Sequence, residues 1–261
     1  MYLLRVLFPL LVATPLALQP AHAQPYETQP EAAPPAVIQA LEAQGVSNIR
    51  EFDAGQGVRG FAGVAGDQPV AIYVLPDGHA IAGTRLDSKG DILDKETVEN
   101  LVAKPMSDQT WASLETTPWV LDGEADAPRI IYVFTDPNCP YCHLFWEASR
   151  PWVEAGNVQL RHLLVGMLKE DSPAKAAAIL GSTDTSAALQ KHELSYDQGG
   201  ISPLESIPDD ILEILEENQL LMMTMGFRGT PGIMVLDDGG VIQKYNGMPR
   251  DDALADVLGP R

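Results

Sequence analysis

"RIIYVFTDPNCPYCHLFWE", Arg129 to Glu147, decides how the rest of the chain is read. Ile130 to Phe134 is an unbroken run of β-branched and aromatic residues, the pattern of a strand buried on both faces. Asp136-Pro137-Asn138 then breaks the run with turn residues. From Cys142 the apolar positions recur at helical spacing, and the segment stops at Gly156. Strand, loop and helix therefore meet at Cys139-Pro140-Tyr141-Cys142, which holds both cysteines of a 261-residue chain.

Two cysteines could form a staple, a metal clip or a redox reagent. A disulfide closing a four-residue loop removes only about 2 kcal/mol of unfolded-chain entropy, so it would fix little of the fold. Structural zinc needs four ligands, and no second Cys pair or paired-histidine spacing accompanies this one. His79, His143 and His192 show no such spacing, and His162 lies in a strand pattern as a satisfied, partly buried residue. Neither a metal nor another cofactor is expected. Redox chemistry fits the context. Cys139 at a helix start would sit among unpaired amide N–H groups that favour the thiolate. Cys142, one turn on along the same face, would stay protonated through burial and act as the resolving thiol. Pro140 suits the first helical turn and removes one donor, so Pro140 and Tyr141 tune the pair.

Outward from this motif, strands and helices alternate. "VQLRHLLVG" is the next strand. "SPAKAAAILG" reads as a helix with Ser172 as N-cap, Pro173 at its first position and Gly181 as its stop. "TDTSAALQKHEL" and "PDDILEILEENQLLMMTMGF" are further helices. "TPGIMVLDDGGVIQKYNG" is a hairpin turning at Asp238-Gly239-Gly240, and "RDDALADVLG" is a last helix. Thr230-Pro231 opens the hairpin, either as a rigid turn or as a cis bond that would bring backbone N–H and C=O groups near Cys139 to pair with an extended substrate. The whole is an α/β sheet with inserted helices.

Upstream, "AVIQALEAQG" is a short helix ending at Gly45. "VSNIREFD", "VRGFAGVAG", "PVAIYVL" and "HAIAGTRLD" form an antiparallel meander that turns at Pro76-Asp77-Gly78. One helix on a small sheet has a thin core, which points to dimerisation. Residues 88–117 are charged and helix-compatible, broken by Pro105 and Pro118, and read as a helical connector. The expected organisation is a signal peptide at 1–23, a small α+β dimerisation domain at 24–87, a helical linker at 88–117 and a catalytic domain at 118–261. The leader rests on Arg5, the apolar run Val6 to Leu18 and the small-x-small site Ala21-His22-Ala23. That run is too short to span a bilayer of about 20 helical residues. The formal charge of −19 argues against a nucleic-acid partner.

The segments "YVFTDPNCPYCHLFWEASRPWV", "VQLRHLLVGMLKEDSPAKAAAIL", "GTPGI" and "LPDGHAIAGTRLD" together resemble the thioredoxin superfamily, and within it the periplasmic disulfide isomerases of the DsbC and DsbG group. Cys-Pro-Tyr-Cys, the lack of further cysteines, and Thr230 before Pro231 match the DsbG pattern. The resemblance implies a thioredoxin-like catalytic domain with a helical insertion, and a V-shaped periplasmic homodimer joined through the N-terminal domains. It implies that Cys139 attacks, Cys142 resolves, and Thr230 with Pro231 shapes the site. The implied substrates are exported proteins with non-native disulfides or sulfenylated cysteines. A DsbD-like membrane protein is the implied reductant, and chaperone behaviour is implied as well. A DsbA-like thiol oxidase and a holdase with dispensable cysteines are the competing functions. Two departures stand out. Val133 occupies the position where many thioredoxin-like proteins carry a buried acid, and Asp136, nearer the motif, reads as a loop or capping residue. His143 follows the motif where relatives often have lysine; it is either a solvated first-turn residue or a pH-dependent tuner of Cys139.

Overall fold

A computed structural model describes residues 33–260, apart from the side chains of Asp251 and Asp252. The expected leader at 1–23 lies outside them. From Pro35 onward the chain forms one compact unit containing two sheets. Helix α1 (Ala36–Ala43) is followed by Gly45 at φ +100°, a left-handed position just past the helix end that favours glycine. Strands β1 (Val46–Asp53), β2 (Arg59–Ala65), β3 (Gln68–Val74) and β4 (Ala80–Ala82) make an antiparallel meander in that order. Ile38 of α1 packs on Phe61, Ile72 and Val74, so this sheet has a small core. Residues 85–94 close back on it: Arg85 and Tyr73 both bond the carboxylate of Asp94.

The connector is more continuous than its prolines suggest. Helix α2 (Lys95–Val98), a wider π turn (Glu99–Ala103) and helix α3 (Lys104–Thr116) follow without a gap. Pro105 was expected to break the run. It has no amide to donate, and its ring would crowd the carbonyl four residues back. The widened turn, in which the Lys104 amide reaches the Glu99 carbonyl, accommodates it. Pro118 does end the helix, since Thr117 before it is extended (φ −75°, ψ 140°).

The second sheet contains β5 (Val120–Asp122), β6 (Arg129–Thr135), β7 (Val158–Leu164), β8 (Gly232–Leu236) and β9 (Ile242–Asn246), in the order β5-β7-β6-β8-β9. Only β6 and β7 run parallel. Helix α4 (Pro140–Val153) connects them. Helices α5 (Ser172–Leu180), α6 (Thr185–Leu194) and α7 (Asp209–Thr224) lie between β7 and β8, and α8 (Asp251–Leu258) closes the chain. β6 is the central strand, and its side chains alternate between two cores. Ile131 and Val133 meet Phe145 and Trp152 of α4 and Val257 of α8. Tyr132 and Phe134 meet Leu114 of α3, Met222 of α7 and Phe227. A third core joins Val120 and Leu164 to Ile179, Leu189 and Leu215, seating the inserted helices against one end of the sheet.

Candidate active site

The loop after β6 delivers Cys139 to the start of α4. Cys139 is the N-cap (φ −83°, ψ 114°), and its Sγ accepts the backbone N–H of Cys142 at 3.2 Å. Pro140 takes the first helical position, where an amide would have no intrahelical partner anyway. The Cys139 thiol also lies 3.3 Å from the Thr230 carbonyl, to which it can donate. The Thr230–Pro231 bond is cis. The Thr230 hydroxyl is buried without a hydrogen-bond partner, and the Thr230 side chain favours the charged form of both thiols.

These contacts separate the two thiols. A hydrogen bond from the Cys142 thiol does most to bring Cys139 down to about 6; burial opposes it, and the Thr230 hydroxyl and the amides of Cys142 and Tyr141 assist. Burial, and then the neighbouring Cys139 sulfur, push Cys142 well up. Both cysteines are free thiols, 2% and 4% exposed. Tyr141 is 59% exposed and projects beside them. The site therefore holds one sulfur whose thiolate is favoured beside a second whose protonated form is favoured.

The loop before Cys139 is fixed by polar contacts. The buried Asp136 carboxylate accepts the amides of Asn138, Met167 and Leu168 and the hydroxyl of Ser172, so it is the loop residue that was expected. Val133, one strand turn back, is buried in the apolar core. Ser172 is not an N-cap as its sequence position suggested: Asp171 precedes the helix, and the Ser172 hydroxyl is drawn to Asp136 by the competing buried carboxylate. Asn138 donates to Asp171 and Ser172 and accepts from the ammonium of the buried Lys175.

His143 is not solvated. Its side chain is 13% exposed, its Nδ1 lies 2.7 Å from Glu193 Oε2, and its ring stacks on Tyr196 with centroids 4.2 Å apart. Glu147 stands 3.7 Å from the other ring nitrogen. Glu193 and Tyr196 were not anticipated. They lie about fifty residues further along the chain, and nothing local in "QKHELSYDQ" marks them. His162, expected to be satisfied and partly buried, is fully buried; its Nδ1 lies 2.8 Å from the Thr135 hydroxyl, but its Nε2 has no hydrogen-bond partner. Among the described residues no cluster of three or more His, Cys, Asp or Glu side chains could hold a metal ion.

Comparison with known proteins adds lineage to this geometry. Residues 123–259 match the thioredoxin-like domain family. The chain is 44% identical over 228 residues to the thiol:disulfide interchange protein DsbG of Pseudomonas aeruginosa, covering 87% of this chain and 89% of that protein. It is 40% identical over 226 residues to DsbG of Escherichia coli, covering 86% and 91%. Among solved structures, Helicobacter pylori DsbG is similar at 20% identity over 76% of this chain and 98% of that one, with a TM-score of 0.39.

Proposed function

Because the chain belongs to the DsbG family and carries that family's thioredoxin-like domain, we propose that it is a thiol:disulfide interchange protein working through Cys139 and Cys142. The observation that carries the reading is the unequal pair: a helix-capping sulfur brought down to about 6 beside a buried thiol pushed up.

The Cys139 thiolate attacks one sulfur of a substrate disulfide. A Cys139–substrate disulfide forms, the substrate S–S bond breaks, and the second substrate sulfur leaves as a thiolate. Cys142 then loses its proton and attacks Cys139. The mixed disulfide breaks, the substrate leaves reduced by two electrons, and the protein holds a Cys139–Cys142 disulfide that an external dithiol must reduce. A DsbD-like membrane reductant would fill that role. With a sulfenylated cysteine the first attack displaces the sulfenyl oxygen, which takes up a proton and leaves as water. In isomerisation a substrate thiol displaces Cys139 instead, and no net electrons move.

In this reading Pro140 and Tyr141 shape the motif, Thr230 and Pro231 form the wall opposite it, and the helix-and-meander unit at 24–87 pairs two copies. The outward Ile81 on the edge strand β4, with Leu86, Ile92 and Leu93 in the segment after it, each about half exposed, support a partner surface there. Residues 88–117 act as linker and 118–261 as the catalytic domain. Export to the periplasm is supported by the leader-like first residues and by the DsbG kinship; no helix among the described residues is long and apolar enough to cross a membrane. The test is reduction of a glutathionylated or sulfenylated test protein. Cys139→Ala abolishes it, while Cys142→Ala arrests it at a mixed disulfide; normal turnover by Cys139→Ala overturns the reading.

A further inference from the structure

One short stretch of the insertion touches the active-site loop and helix at three points. His192 of α6 approaches the Pro137 carbonyl with Nε2 at 2.8 Å. Its Nδ1 accepts the Ile201 amide at 3.0 Å, so the ring proton sits on Nε2 and is donated to Pro137. Burial lowers the basicity of this imidazole, in keeping with a neutral ring. Gly200, at φ +69°, passes directly beneath it; a Cβ there would stand 2.4 Å from His192 Nδ1. Four residues on, the Tyr196 hydroxyl donates to the Asn138 carbonyl at 3.2 Å. Between them, the buried Glu193 holds His143. The Tyr196 ring lies flat on His143 (interplanar angle 8°) and edge-on to His192.

The two carbonyls immediately before Cys139 thus each receive a side-chain donor from this stretch. A bare carbonyl beside a buried sulfur presents its negative end and opposes a thiolate. With both carbonyls paired, less of their negative end is left to oppose the thiolate that the amides of Tyr141 and Cys142 favour. The Tyr196 phenol is pushed up to about 12, first by burial and next by the charge of Cys139.

We propose that Tyr196 is a positioning residue for thiol exchange: by donating to the Asn138 carbonyl while stacked on His143, it stabilises the Cys139 thiolate and ties its reactivity to the inserted helices, and His192 does the same at Pro137. This rests on reading Cys139 as the attacking group.

Tyr196→Phe keeps the ring and its stack and removes only the donor. In the reduced full-length protein, the thiolate absorbance of Cys139 should titrate about half a unit higher. At the parental midpoint the thiolate fraction then falls from one half to about a quarter, and iodoacetamide alkylation below the midpoint slows about threefold. The alkaline plateau rate stays the same, which a merely structural loss would not leave untouched. His192→Gln, acting at the other carbonyl, moves the midpoint the same way. Both variants at the parental midpoint, or a slower plateau without a shift, overturn the proposal. No disulfide substrate enters the measurement, so this failure is distinct from failure of the exchange reading, which Cys139→Ala tests.

Discussion

Cys139 and Cys142 are the same side chain in two surroundings, and the difference between them is made of particular atoms. The Cys139 sulfur accepts the Cys142 amide, and the Cys142 thiol beside it favours its charged form; burial and then the Cys139 sulfur disfavour charge on Cys142. With Cys139 brought down to about 6, its alkylation rate should climb as pH rises through about 6 and level off above, where the thiolate is complete. Thr230→Val keeps the shape of the side chain and removes the hydroxyl, so the climb should move to higher pH; an unmoved profile would leave the hydroxyl without a role. The cysteine motif and the proline at the helix start were legible from sequence because they are neighbours along the chain. The surroundings of His143 were not: its partners, Glu193 and Tyr196, come from about fifty residues away, and no local pattern sets where a later helix will lie.

At the scale of elements, helix α4 is fastened to the sheet edge by a part-buried ion pair. Arg150 makes a two-pronged contact with Asp122 at the end of β5, with Nη1 2.9 Å from Oδ1 and Nη2 close on Oδ2. His162 Nε2 stands 3.7 Å from the same carboxylate. Burial raises the Asp122 carboxyl, but His162 and Arg150 outweigh it and bring it down to about 2 from 3.8. A carboxylate lowered on folding adds stability that is complete above its unfolded value and is lost as pH falls through its folded value. Asp122→Asn should therefore cost about 2 kcal/mol at neutral pH in denaturant unfolding, and the gap to the parent should close between about pH 4 and pH 2. A gap independent of pH would mean that the charge is not what holds the helix. β6 and α4 could be read from their long, consistent patterns. β5 escaped notice because three residues carry no periodicity, and Pro105 misled because a π turn hides the break that a proline normally makes.

At the scale of the molecule, a small sheet with a thin core and apolar side chains at one edge is joined by an almost continuous helical run to the thioredoxin-like part. If that edge pairs two copies, the double variant Ile81→Asp, Ile92→Asp should shift light-scattering mass from dimer to monomer while Cys139 alkylation keeps its rate. A dimer that survives both charges would place the contact elsewhere. The strong negative charge of the chain bears on solubility and long-range attraction.

The central claim is that Cys139 forms the bond to substrate and Cys142 breaks it. Incubating the Cys142→Ala protein with a test protein carrying a scrambled disulfide, followed by intact-mass and peptide mapping, reads this directly. The account predicts a stable mixed disulfide on Cys139, absent in the Cys139→Ala protein and short-lived in the parent. An adduct that forms on Cys142 when Cys139 is replaced, at the rate seen for the parent, or no adduct on Cys139 at all, would contradict it.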